Sequence, residues 1–90
     1  MPKYRLIETY EAPTPEDFRR LKDELGRNGT QMADLAGVSS NSQWRKYTGG
    51  ANPRAMPHQS LFYLAAQLVL TPSELDRVIK KMIDIGARIE

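Results

Sequence analysis

The side chains in this ninety-residue chain that could do chemistry are gathered in residues 28–50, NGTQMADLAGVSSNSQWRKYTGG. Asn41 and Gln43 carry carboxamides of the kind that pair bidentately with adenine, and Arg45 carries the guanidinium that pairs with guanine. Ser42 and Lys46 add a hydroxyl and an ammonium able to meet base edges or phosphate oxygens. Charge favours the same chemistry. The chain totals +2, with thirteen basic and eleven acidic residues, yet no acid falls between Asp34 and Glu74. Arg45, Lys46 and Arg54 lie inside that stretch, and such an acid-free basic centre is the footprint of an anion-binding face.

Other chemistries lack their residues. There is no cysteine and a single histidine, which removes disulfides, thiol nucleophiles and zinc-finger ligand sets. His58 has no acidic neighbour in sequence to orient it, and a surface position at a helix start is expected. Ser39, Ser40 and Ser42 stand in no G-x-S-x-G elbow, and no glycine-rich loop ends in Lys-Ser or Lys-Thr. The acid pairs Glu16-Asp17 and Asp23-Glu24 read as helix surface. No catalytic residue, metal, cofactor or small-molecule effector is expected, and the chain is not read as an enzyme. No apolar run, that at residues 68–70 included, approaches the length needed to span a bilayer. Lys3, Arg5 and Glu8 interrupt any signal-peptide core. A soluble, cytoplasmic protein without membrane contact is the expectation.

The elements that must position these residues read as all-α. At 40% apolar and 27% charged, ninety residues suit one small globular domain. Residues 1–13 show no helical stripe and read as an extended arm or short edge strand. A single domain of five helices then follows over 14–90, at 14–26, 28–36, 40–48, 57–69 and 72–87. Thr14, Pro15 and Asp17 spell a capped start, and Phe18, Leu21 and Leu25 supply the inward stripe. Asn28 with Gln31, and Thr71-Pro72-Ser73-Glu74, repeat the capping signal. Gly26, Gly37 and Gly49-Gly50 supply stops. Residues 51–56 read as a polar turn, and Leu61, Leu64, Ala65 and Leu68 as the stripe of the fourth helix.

Two short helices joined at Gly37-Val38-Ser39 meet the physical demands of a helix-turn-helix. Ala33 is small where the helices cross, Gly37 tolerates positive φ, and Val38 plugs the core after the turn. Trp44 and Tyr47, three apart, anchor the second helix inward and leave its polar face free. On Ala33, Gly37, Val38, Ser39, Trp44, Tyr47 and Gly49, residues 14–70 resemble the λ-repressor-like (XRE-type) helix-turn-helix domains of phage and bacterial regulators. The ending WRKYTGG before a proline-containing loop looks most like small phage or mobile-element regulators. One departure is that Trp44 lies one residue further from Gly37 than that family's pattern has it.

The resemblance implies a compact bundle of four or five helices and a sequence-specific double-stranded DNA-binding regulator, with repression the expected mode. It implies insertion of helix 40–48 into the major groove by each half of a homodimer. Two such helices would sit about 34 Å apart, one turn of DNA. Asn41, Ser42, Gln43 and Arg45 form the expected base-reading set, and the lengthened turn leaves open which of the first three reaches a base. Lys46, Arg54, Thr30 and Gln31 form the expected phosphate set. Lys3 and Arg5 of the arm would add a groove or backbone contact. Trp44 reads as a core anchor in place of a base-stacking platform.

The fifth helix is the second place where function is legible. Leu75, Val78, Ile79, Met82, Ile83 and Ile85, continued by Ile89, form an apolar set wider than one core-facing stripe requires. A homodimer through helix 72–87 would use the surplus. The rival reading is a protein-interaction module on the same scaffold, such as an antitoxin or a phage-encoded inhibitor of a host system, in which that surplus docks a different protein.

Overall fold

In the computed structural model, which describes residues 5–90, every regular element is a helix. The order is α1 (Pro15–Leu25), α2 (Gly29–Ala36), α3 (Asn41–Thr48), α4 (His58–Val69) and α5 (Pro72–Ile85). Residues 5–13 of the arm form no strand. Lys3 lies outside the described residues, and so does the contact expected of it.

Helix starts follow local chemistry. The Thr14 hydroxyl accepts from the Asp17 N–H at 3.1 Å, and the Asp17 carboxylate accepts from the Thr14 N–H at 2.9 Å. Asn28 with Gln31 and Thr71 with Glu74 make the same reciprocal pair. Each box satisfies two backbone donors that a helix start would otherwise leave open. The ends are equally local. Gly37 closes α2 at φ +73, where a Cβ would come within 2.9 Å of the Tyr63 ring. α5 stops at Ile85, two residues before the expected 87, because Gly86 turns the chain at φ +132.

The core joins the first four helices. Phe18 from α1, Met32, Ala33, Leu35 and Ala36 from α2, Trp44 and Tyr47 from α3 and Leu64 from α4 are buried together. Phe18 meets Trp44 edge-on, with ring centroids 5.5 Å apart, an arrangement the ring quadrupoles favour. Leu21, Leu25, Val38 and Leu61 pack around this cluster.

The polar turn read into residues 51–56 hides one more core member. Met56 is fully buried, because the loop folds back over α3 and the Arg54 N–H donates to the Lys46 carbonyl at 2.7 Å. The Tyr10 hydroxyl donates to the Met56 carbonyl at 2.6 Å and ties the arm to the same point. Desolvation there raises the Tyr10 phenol above its ordinary 10.0.

α5 contributes no buried residue. The radius of gyration is 14.8 Å, against about 12 Å for a fully compact chain of this length. Four helices make the compact bundle and the fifth extends from it. Among the described residues, no helix is long and apolar enough to cross a membrane.

Candidate nucleic-acid interface

α3 owes its orientation to its two aromatic anchors. Successive helical residues turn by about 100°, so burying Trp44 and Tyr47 aims Ser42, Arg45 and Lys46 away from the core. Trp44 is 1% exposed and Tyr47 7%, whereas Ser42, Arg45 and Lys46 are exposed. The Ser40 hydroxyl accepts from the Gln43 N–H at 3.3 Å and fixes the start of the helix. At its other end Arg19 of α1 donates to the Thr48 carbonyl at 2.6 Å, a cation placed at the negative end of the helix dipole.

The proposed base-reading residues do not share one environment. Ser42 and Arg45 stand on the outer face with Lys46. Gln43 is half-buried on the flank toward the core. Asn41 is exposed, but its carboxamide lies over the first residue of α2, so closely that a Cβ on Gly29 would overlap it. Gly29 thus lets the start of α3 approach the start of α2.

The phosphate candidates divide in the same way. Arg54 is exposed, and its backbone bond to Lys46 places it beside the end of α3. Thr30 is exposed in the first turn of α2. Gln31 is exposed, yet its side-chain oxygen is occupied by the Asn28 N–H at 2.9 Å. Among the described residues Arg45, Lys46 and Arg54 make no ion pair, since the bridges present are Arg19–Glu16 and Arg20–Asp17.

Two shallow clefts meet at Arg45. One is lined by Ser42, Arg45, Lys46 and residues 48–52. The other lies between α1, α2 and α3, lined by Arg19, Lys22, Gly29, Asn41, Trp44, Arg45 and Thr48. Neither contains a carboxylate. The second brings in Arg19 and Lys22, which sequence reasoning passed over. Their signal was spacing: they lie three apart on α1, on the flank beside the inward stripe of Phe18 and Leu21. The outcome is a surface on which Lys22, Arg45 and Lys46, with Arg19 paired to Glu16 at 2.9 Å, adjoin serine, threonine and asparagine.

His58 stands at the start of α4 with its ring against Tyr10, centroids 5.6 Å apart, distant in role from this surface. No group of histidine, aspartate and glutamate suited to a metal ion occurs among the described residues. No family model, curated protein or solved structure matches the chain.

Proposed function

We propose that this chain is a sequence-specific double-stranded DNA-binding regulator, a cytoplasmic repressor that acts as a homodimer and not an enzyme. The observation that carries the reading is the outer face of α3. Ser42, Arg45 and Lys46 point outward without a carboxylate among them, held there by buried Trp44 and Tyr47. On this reading α3 enters the major groove, Arg45 and Ser42 meet base edges, and Asn41 and Gln43 contact bases at the margins of the face. Lys46, Arg54, Thr30 and Gln31 hold phosphates, and Lys22 extends that backbone grip.

Binding of any duplex at low ionic strength, weakening steeply as salt rises, is the first expected result, because cations that meet phosphates release counterions. Absence of any duplex complex at low salt would end the reading. On a site selected from a random duplex library, Arg45→Ala should cost about 1–3 kcal/mol and relax preference at one position. Lys46→Ala should instead weaken all sequences alike and reduce the salt slope by about one. A site library without two-fold symmetry would count against the dimer.

One observation favours the rival, a protein-interaction module. α5 offers an apolar face that its own bundle leaves open. Tight association with a different protein, insensitive to salt and unaffected by Arg45→Ala, would establish that reading over the first.

A further inference from the structure

We infer that the cleft between the N-terminal arm and α4 binds a small, planar, uncharged heteroaromatic molecule that presents a hydrogen-bond donor and acceptor side by side. The inference stands apart from duplex binding and uses none of the residues assigned to it.

The cleft has a volume of about 570 Å³, within the roughly 300–1,000 Å³ of small-ligand sites. Its two walls come from distant parts of the sequence. Leu6, Ile7 and Tyr10 stand on the arm, and His58, Gln59 and Phe62 on α4. Phe62 follows His58 by four residues and Gln59 by three, the spacings that bring helical side chains to one face. The arm is held against that face because the Tyr10 hydroxyl donates to the Met56 carbonyl at 2.6 Å. Neither wall is a pocket by itself, so sequence reading anticipates no site.

Three properties of the lining select the ligand. Rings come first. Tyr10 and His58 meet edge-on with centroids 5.6 Å apart, and Phe62, on the same wall as His58, is left 53% exposed. A flat ring laid against them gains aromatic contact together with burial, and Leu6 and Ile7 add aliphatic surface. Charge comes second. Arg5 and Glu8 bring one charge of each sign to the lining, so an ion gains little there that it does not also lose.

Hydrogen bonding comes third. The Tyr10 proton is committed to Met56, which leaves its oxygen able only to accept. The exposed Gln59 carboxamide offers a donor and an acceptor together. A ring edge that carries the complementary pair satisfies both. A protein partner fits less well. Eight residues line the cleft, against about 20–30 on each side of a stable protein interface.

The test is an NMR titration of the full chain, without DNA, against 7-azaindole, a fused bicycle whose ring N–H adjoins a ring nitrogen acceptor. At about millimolar concentration it should shift the amides of residues 5–10 and 58–62 saturably. Indole keeps the donor and lacks the acceptor, and should bind about fivefold more weakly, the worth of one hydrogen bond. Gln59→Leu should erase that difference. Phe62→Ala should weaken both ligands while leaving the thermal transition of the bundle in place, because Phe62 lies outside the core. Indole-3-acetate should bind no better than indole.

Absence of saturable shifts overturns the inference, and so do shifts centred away from the arm and α4. Equal affinity for 7-azaindole and indole, or a preference that survives Gln59→Leu, removes the paired polar edge and with it the proposed ligand class. Tighter binding of indole-3-acetate than of indole would make the cleft an anion site and refute the uncharged class.

Discussion

Gly37 and Gly26 both adopt left-handed backbone, yet they face different surroundings. Gly37 has the Tyr63 ring where a Cβ would go, and Gly26 has open space. Gly26→Ala should therefore cost only the backbone term, about 1–2 kcal/mol. Gly37→Ala should cost more, and the excess, read from chemical denaturation of both variants, measures the resistance of Tyr63 to displacement. Equal losses would mean that the half-exposed ring simply swings aside. Trp44 and Tyr47 were legible as inward anchors because their spacing leaves a helix no other way to bury both. Arg19 and Lys22 were not, since cations on a helix surface read as solvated until the packing of α1 against α3 turns their flank into a cleft wall. Met56 was hidden for a related reason. Its burial depends on the path of residues 49–56, which a backbone bond from Arg54 to Lys46 sets across the fold.

At the scale of elements, the capping boxes were readable from sequence because every partner lies within three residues. α1 makes their energetics measurable. Hydrogen bonding from the Thr14 backbone, then from its side chain, with the Arg20 guanidinium adding to it, holds the Asp17 carboxyl below its ordinary 3.8. A depressed carboxyl stabilises the fold above the pKa it has when unfolded, and that contribution fades as pH falls through the lower folded value. Stability should thus decline below about pH 4, partly through Asp17, and Asp17→Asn should flatten that part of the profile. Thermal melts between pH 2 and about 7 would reveal it, and superimposable slopes for the two proteins would contradict it. α5 carries the same box at Thr71 and Glu74, so its start is as well specified as that of α1. Where its apolar face goes was beyond the reach of sequence, since periodicity marks a face without saying whether the covering surface belongs to the same bundle.

For the whole molecule, the division between a four-helix core and an outlying α5 makes a simple forecast. A chain ending at Leu70 retains every buried side chain. Its midpoint, measured at a concentration where the full chain is monomeric, should stay within about 4–8 °C of the full chain's, the shift that 1 kcal/mol makes in a domain this size. A larger drop would show that α5 supports the core after all. The outlying helix also sets a threshold. Of the α5 side chains only Leu75 is half-buried and the rest are exposed. α5 therefore gains further burial only from another molecule, and in the proposed homodimer this would tie its ordering to the abundance of the protein. At scarcity the chain would be a folded four-helix bundle with a fraying tail. On the proposed dimeric reading, the tail would order and pair the copies as they accumulate, so that paired occupancy would climb with the square of concentration. A protein that paired in this way would register how much of itself is present.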